Sequence, residues 1–224
     1  VQPAESAYHH CQLSIAGMGV SVACRDARLI AELARRYRDF PCHSEPLLSA
    51  VVQLKVNDGA PLNPDPKLSF SPTGMQFWSQ GFSGSINSQG GTALLTLDRS
   101  QAVESVDYFL RLVVAMLAFQ AGGFLFHAAG VVRRGSALLF FGHSGSGKTT
   151  ISRLSSGDLV LNDDLVVLLP EGAGWLAHAT PFWNPSQIRP VPHSAPVAGL
   201  YCLQQDRHVY RESLSRAQAL AEVV

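Results

Sequence analysis

The sequence predicts an α/β protein, α+β overall, that is built from two domains, and three observations carry this prediction. Short strands with alternating apolar and polar residues fill most of residues 11–98, with a single helical pattern among them. A long amphipathic helix follows over residues 101–120. Beyond it, an apolar strand runs into a glycine-rich loop that opens a further helix. We therefore expect a small strand-rich α+β domain at residues 1–100 and an α/β domain at residues 101–224.

The elements of the amino-terminal domain follow from its residue pattern. Strands are predicted at residues 12–15, 20–23, 51–56, 68–71, 75–78 and 93–97, because apolar residues alternate there between turn-rich stretches such as 57–59, 61–66 and 89–91. The one helix covers residues 25–37, where Leu29, Ile30 and Leu33 recur at helical spacing. Asp26 is expected to cap its first turn.

The elements of the carboxy-terminal domain are predicted in the same way. Ser100 is the expected cap of the helix over residues 101–120, which gathers Val106, Phe109 and Val113 on one face. Strands are predicted at residues 124–126, 137–141, 159–161 and 165–169, and the helix after the loop ends at Gly157. A proline-rich loop is expected over residues 181–196.

Composition excludes several classes of partner. Lysine plus arginine equals aspartate plus glutamate at 17 each, so no global charge recruits nucleic acid or an anionic membrane. The longest apolar run, residues 112–119, is far shorter than the roughly 20 residues of a spanning helix. No secretion signal is visible at the start, so we expect a cytoplasmic protein. The cysteines form no close pair and are expected to be buried free thiols. The oligomeric state is left open.

The glycine-rich loop is the strongest signal for chemistry. It reads Gly142-His143-Ser144-Gly145-Ser146-Gly147-Lys148-Thr149 and is followed by Thr150. Glycines permit the backbone angles and close approach with which successive amides can bind phosphate oxygens. Lys148 supplies a compact charge to the outer phosphates, and the Thr149 hydroxyl can enter a magnesium shell. The setting between a strand and a helix predicts binding of ATP with Mg²⁺ at residues 142–150.

A pair of carboxylates follows on the next predicted strand. Asn162-Asp163-Asp164 stands between apolar residues 159–161 and 165–167. Burying two carboxylates there is costly unless a cation or hydrogen-bond donors receive them, and magnesium beside ATP is a suitable recipient. The alternative interpretation is the polar turn of a hairpin, for which these residues are well suited.

A histidine ends the predicted strand over residues 124–126. His127 is followed by Ala128-Ala129-Gly130, and its strand is expected to lie beside the loop-bearing strand. Taken alone, a histidine in this setting is more often a hydrogen-bonded core residue than a catalyst. Its role therefore depends on the wider pattern of the domain.

In this order the three elements resemble the catalytic domain of the HPr serine kinase/phosphorylase family and its HprK-related relatives, over residues 124–167. The resemblance implies a fold shared with ATP-dependent phosphoenolpyruvate carboxykinase and transfer of the γ-phosphoryl group of ATP to a serine hydroxyl. It implies that Asp163 is the catalytic base and His127 a catalytic partner near it. It also implies that Lys148 holds the phosphates, while Thr149 and Asp164 bind the metal.

The chain departs from that family at several positions. His143 stands where the family carries Asp, and Thr150 stands where it carries Glu. The family's segment with a metal-binding Glu has no counterpart in residues 179–184, and its carboxy-terminal substrate-handling segment is not visible before Val224. The segment over residues 180–183 is closer to HprK-related proteins that accompany ribosomal peptide gene clusters and phosphorylate a peptide serine. The resemblance therefore implies a protein or peptide acceptor other than HPr.

Two other functions fit the same motifs. One is a non-catalytic ATP-binding regulatory module. The other is a small-molecule phosphotransferase or carboxykinase-like enzyme, which needs basic anchors for an acidic substrate, and the candidates for these are Arg133, Arg134 and Arg189. Because residues 1–100 lack a phosphate-binding loop, we expect them to present or shield the acceptor, with edge strands on which an extended peptide can add a strand.

Overall fold

The protein is described by a computed structural model that covers residues 7–55, 66–79, 81–155, 157–183 and 188–223. It forms two compact units, Val1–Phe124 and Leu125–Val224. The described residues contain fourteen strands, four α-helices and one 3-10 turn, and the strands form two seven-stranded sheets. The predicted α+β class is confirmed. Two of the predicted turns, at residues 57–59 and at most of 61–66, lie outside the described residues.

The first unit is built on a mixed sheet. Its strands are β1 (His9–Ile15), β2 (Met18–Cys24), β3 (Leu48–Lys55), β4 (Lys67–Ser71), β5 (Gly74–Ser79), β6 (Phe82–Asn87) and β7 (Thr92–Asp98). They lie in the order β1-β2-β3-β7-β6-β5-β4. β2, β3 and β7 are parallel, and the other neighbours are antiparallel. Every residue of β2 is buried, as expected for a parallel strand covered on both faces.

Helix α1 (Ala27–Arg36) connects β2 to β3. Asp26 Oδ1 accepts hydrogen bonds from the backbone N–H groups of Arg28, at 2.9 Å, and Leu29, at 3.2 Å, which confirms the predicted cap. Leu29, Ile30 and Leu33 are buried, as the helical spacing predicts.

Helix α2 (Ala102–Gln120) belongs to the first unit, so the predicted boundary at residue 100 is corrected to residue 124. The physical reason is its buried face: the Phe109 ring packs 6.0 Å from the Phe77 ring of β5. The predicted Ser100 cap is also wrong. Asp98 accepts a hydrogen bond from the Ser100 N–H at 2.8 Å and caps a 3-10 turn that precedes the helix.

A buried charge cluster ties α2 to α1. Asp107 accepts hydrogen bonds from the Arg36 guanidinium at 2.9 Å, the Tyr37 hydroxyl at 3.0 Å and the Arg111 guanidinium at 3.1 Å. Burial, and secondarily the Asp107 charge, hold the pKa of Tyr37 well above its ordinary value. The buried carboxylate of Asp107 on α2 thus has donors from both helices, and its charge is paired. These contacts hold α2 against α1 within the first unit.

The second unit is built on the other sheet. Its strands are β8 (Phe124–His127), β9 (Ala129–Arg133), β10 (Ser136–Phe141), β11 (Leu159–Asn162), β12 (Leu165–Glu171), β13 (Gly174–His178) and β14 (Ser194–Cys202). They lie in the order β11-β9-β10-β14-β13-β12-β8. β10 lies between the antiparallel β9 and the parallel β14. Helices α3 (Lys148–Leu154) and α4 (Arg216–Val223) complete the unit.

The sheet order corrects one prediction that concerns the site. β8 lies next to β12 and not beside the loop-bearing β10. The reason is the tight turn at Arg134 and Gly135, both with positive φ, which folds β9 back onto β10 and occupies that edge. The expected proline-rich loop also ends earlier than predicted, because β14 begins at Ser194.

Two further features bear on the sequence predictions. Within the part of the chain that the structure describes, no helix is both long and apolar enough to cross a membrane. The cysteines are free thiols, and Cys11 and Cys24 are buried as predicted. Cys42 and Cys202 are partly exposed, so the prediction of burial is wrong for them.

Candidate active site

The glycine-rich loop, residues 142–149, starts where β10 ends. Gly142, Gly145 and Gly147 have φ values of 146°, 82° and 112°, which L side chains rarely adopt. A Cβ at Gly142 would lie 2.8 Å from the Leu203 carbonyl oxygen and 2.9 Å from Ser146 Oγ, whereas the space at Gly145 and Gly147 is open. Close approach therefore requires glycine only at position 142, and backbone conformation requires it at the other two.

Lys148 begins α3 and is buried beneath the loop. Its Nζ donates hydrogen bonds to the carbonyl oxygens of Gly142 at 2.7 Å and His143 at 3.2 Å. The ammonium is therefore held against the backbone of the loop itself. This position places one positive charge beside the loop and the amino-terminal end of α3.

The remaining loop side chains differ in exposure. His143, Ser144 and Thr150 are exposed, and Thr149 is half-buried. Ser146 Oγ is buried and has no hydrogen-bond partner among the described residues. Such an orphaned hydroxyl is unusual in a folded protein and indicates that an oxygen-rich ligand can be received there.

Asp163 is 2% exposed and lies beside the Thr149 hydroxyl. Neither of its carboxylate oxygens has a hydrogen-bond partner of normal geometry within the described residues. Burial raises the pKa of Asp163, and the nearby Asp164 charge adds to this, while the Thr149 hydroxyl and the Arg153 charge lower it. A buried carboxylate beside a hydroxyl, with no hydrogen bond of normal geometry in the described residues, is suited to receive a cation.

Asp164 has a different partner. Its Oδ1 lies 2.9 Å from His127 Nε2, a hydrogen-bond distance. The His127 side chain is 57% exposed and that of Asp164 is 26% exposed, so this pair faces solvent. The resemblance implied that His127 lies near Asp163 as the base, whereas the structure joins His127 to Asp164 and places Asp163 beside Thr149.

Asn162, the last residue of β11, holds this turn in place and was given no role by the sequence analysis. It is fully buried. Its Nδ2 donates to the carbonyl oxygens of Thr180 and Phe182, both at 3.0 Å, and its Oδ1 accepts from the N–H groups of Asp164 at 2.7 Å and Leu165 at 3.1 Å. Asparagine is well suited to such turns, and that preference was the available signal.

The segment over residues 180–183 is therefore part of the site's framework. The Thr180 hydroxyl donates to the Leu165 carbonyl oxygen at 2.7 Å, and Phe182 is fully buried. Phe182 therefore packs in the core of the second unit. The segment supports the carboxylate turn from behind.

A protein-family model described as SynChlorMet cassette protein ScmC matches residues 95–224. The chain belongs to the ScmC family. The match covers more than half of the 224 residues and includes the whole glycine-rich loop and both carboxylates. No curated protein matches the chain. In this ScmC-family chain, the match begins within β7 and leaves out most of the first sheet.

Two of the three predicted basic anchors of the ScmC-family chain, Arg133 and Arg134, are not at the loop. Arg133 is paired with Asp158 at 2.7 Å and lies opposite Ser136, the first residue of β10. The loop follows the last residue of β10, about 17 Å further along the strand at about 3.3 Å per residue. Arg134 occupies the turn at the same distant end. Neither residue can anchor a substrate at the loop.

Among its described residues, the ScmC-family chain has no group of three or more His, Cys, Asp or Glu side chains that could hold a metal ion. Mg²⁺ in nucleotide sites is bound by one or two protein oxygens together with substrate phosphates and water. Thr149 and Asp163 provide a hydroxyl and a carboxylate of this kind beside the loop. This donor set fits Mg²⁺ carried by a nucleotide.

Proposed function

We propose that this chain is an ATP- and Mg²⁺-dependent kinase that transfers the γ-phosphoryl group to a serine hydroxyl of a protein or peptide. One observation carries the proposal: two adjacent carboxylates are divided between two tasks. Asp163 is buried beside Thr149, the last residue of the glycine-rich loop, and Asp164 is bound to the exposed His127. The first arrangement suits a metal-nucleotide and the second suits a proton transfer.

The nucleotide side of the site rests on groups without partners. Ser146 Oγ and both oxygens of Asp163 are buried without a hydrogen bond of normal geometry within the described residues, and a bound metal-nucleotide provides partners for such groups. When bound, Mg²⁺–ATP supplies the transferable phosphoryl group and a divalent positive charge. The loop N–H groups and Lys148 hold the phosphates, and Thr149 with Asp163 holds the metal.

The acceptor side rests on the exposed pair. Asp164 orients the His127 ring through the 2.9 Å contact at Nε2, which leaves Nδ1 free to take the proton of an incoming hydroxyl. Asp163 is too buried to reach a hydroxyl on another polypeptide. The proposal therefore keeps the site residues that the resemblance to HPr kinases implies, but it assigns Asp163 to the metal and makes His127, oriented by Asp164, the base.

A polypeptide acceptor is favoured over a small acidic metabolite. Arg133 is already ion-paired and, with Arg134, lies at the far end of β10, so two of the three predicted basic anchors for a metabolite are not at the loop. The family is described as a cassette protein, and serine-containing peptides encoded beside the gene are the first acceptors to test. The kinship with HPr kinases and the cytoplasmic location stay predictions.

Mass spectrometry of such peptides after incubation with the full chain, ATP and Mg²⁺ tests the proposal. We expect a phosphoserine that depends on Mg²⁺, and its loss in Lys148→Ala. Lys67→Ala is the matched control, because Lys67 is an exposed lysine of β4 in the first unit. Calorimetric titration of ATP runs in parallel. ATP binding without transfer to any acceptor would favour the regulatory module, and absence of ATP binding would remove both functions.

A further inference from the structure

The first unit contains an open cavity of about 730 Å³ at the carboxyl ends of its parallel strands. β2 ends at Cys24, which pairs with Val52 of β3, and Leu54 of β3 pairs with Leu97 of β7. Residues at the ends of β2 and β3 line the cavity, together with Arg99, which directly follows β7. In sheets of this kind, ligands bind outside the carboxyl ends of the parallel strands. The position therefore marks a binding site that is separate from the glycine-rich loop in sequence and in sheet.

The lining of this cavity is positively charged. Arg25, Arg28 and Arg99 line it together with one carboxylate, Asp26. Asp26 is already engaged, because it caps α1 and lies 2.9 Å from the Arg99 guanidinium. The Arg25 guanidinium lies 5.2 Å above the centre of the Tyr8 ring. Neither Arg25 nor Arg28 forms a salt bridge within the described residues.

An adjoining cavity of about 330 Å³ limits the positive region on one side. Glu32 and Glu104 line it, together with Arg28 and Arg99. Three arginines therefore outnumber the one carboxylate, Asp26, among the described residues that line the larger cavity, and an anionic group that enters it meets Arg25 and Arg28.

The positions of these arginines are unfavourable for the helix itself. Arg28 lies in the first turn of α1, which has no acidic residue, and Arg25 directly precedes the Asp26 cap. The helix dipole favours anions at this end and disfavours cations. Residues that break a local rule without a structural gain are expected at functional sites. The arrangement is therefore an independent indication that the cavity receives negative charge.

We propose that this cavity binds an acidic segment of a polypeptide through Arg25 and Arg28. The proposal rests on the proposed function in one respect, since the polypeptide is then the phosphoacceptor. Small-molecule sites enclose most of the ligand surface, whereas this cavity is open and both arginines are exposed. Several exposed charge pairs, each weak, together position and steer an acidic chain.

Fluorescence anisotropy of labelled hexaglutamate with the full chain, without ATP and at about 50 mM salt, tests this proposal. We expect binding that weakens at least about tenfold in Arg25→Gln/Arg28→Gln. The matched control is Arg35→Gln/Arg38→Gln, which removes the same charge from exposed positions at the other end of α1. That control should change affinity by less than about threefold. Thermal melts verify that both variants fold.

Three results would overturn the proposal. These are no hexaglutamate binding, equal weakening in the two double variants, and displacement of the peptide by millimolar inorganic phosphate, which indicates a small-anion site. The assay is independent of phosphoryl transfer. If the chain binds hexaglutamate but phosphorylates no peptide, only the proposed kinase activity is contradicted. If it phosphorylates peptides but does not bind hexaglutamate, only the proposed acidic-peptide site is contradicted.

Discussion

Asp163 and Asp164 are neighbours in sequence with opposite surroundings. Burial raises the pKa of Asp163, whereas Asp164 reaches the surface and contacts His127. Both residues lie in the bend between β11 and β12, so a single turn can serve two tasks. At the residue scale, this division determines which changes affect stability and which affect transfer.

Asp163→Asn should stabilise the chain in the absence of nucleotide. Because the pKa of Asp163 is raised in the folded state, the folded chain is favoured below the ordinary carboxyl pKa, and this stability is lost as pH rises through the folded pKa. Removing the charge should therefore raise Tm at neutral pH. The gain should vanish near pH 3, at roughly the pKa of a free carboxyl. Thermal melts at several pH values measure the difference in Tm between Asp163→Asn and the unmodified chain, with Asp164→Asn as the control. A difference in Tm that persists in acid would contradict the explanation by the raised pKa of Asp163.

The two carboxylates should also separate in steady-state kinetics. His127→Gln and Asp164→Asn should lower kcat by about 10²–10⁴ while leaving the Mg²⁺ requirement unchanged, because they remove proton transfer. Asp163→Asn should mainly raise the Mg²⁺ concentration needed for half-maximal rate. Titrations of Mg²⁺ with the phosphorylated peptide as readout distinguish them. The opposite pattern would restore Asp163 as the base, as the resemblance to HPr kinases implies.

Sequence reasoning identified these residues but not their pairing. The loop, His127 and both aspartates were predicted from residue type and order, and each is present in one unit. Which aspartate contacts which partner depends on the Asn162 hydrogen bonds to Thr180 and Phe182, residues almost twenty positions away. A contact of that range leaves no periodic signal in a single sequence.

At the scale of elements, most strands with clear alternation were predicted, while two strands with an internal glycine or proline, β6 and β14, were missed. β6 contains Gly84, and a Cβ there would lie 2.1 Å from the Leu94 carbonyl oxygen, so glycine is required by close packing and not by a turn. β14 contains Pro196 and follows a proline-rich stretch, which favours a loop in sequence. Tertiary contacts override local preference in both strands.

The turn between β11 and β12 is the element on which the site depends most. Asn162→Ala should lower the free energy of unfolding by about 2–4 kcal/mol, because it removes several buried hydrogen bonds of about 1 kcal/mol each. The rate of the proposed phosphoryl transfer should also fall in this variant. Denaturant titration measures the loss, and Asn87→Ala is the control, since the exposed Asn87 accepts from the Gly90 N–H. Equal small losses would show that the Asn162 contacts carry little energy.

For the whole molecule, the boundary near residue 124 changes what a fragment must contain. A fragment that starts at residue 101 keeps α2 but lacks the strands and helix against which α2 packs. It loses Phe77, which contacts Phe109, and it loses Arg36 and Tyr37, which bind Asp107. The apolar face of α2 is then exposed. We expect it to aggregate, and a fragment of residues 125–224 to melt cooperatively and bind ATP within about tenfold of the full chain. Light scattering and calorimetry compare the two. A well-behaved fragment from residue 101 together with a non-binding fragment from residue 125 would contradict this boundary.

The neighbours of the glycine-rich loop also determine when it can form during synthesis. The Leu203 N–H donates to the Phe141 carbonyl oxygen at 2.7 Å, and Gln205 Nε2 donates to the Gly145 carbonyl oxygen at 2.7 Å. The first unit is complete at Phe124, but the loop gains these contacts only when residue 205 has been made. At about 5–20 residues per second, those roughly 80 residues take about 4–16 s. A nascent chain thus carries a finished arginine-lined cavity before it has a finished glycine-rich loop, and on the functions proposed for the two sites a ribosome-bound chain captures an acidic polypeptide before it can modify it.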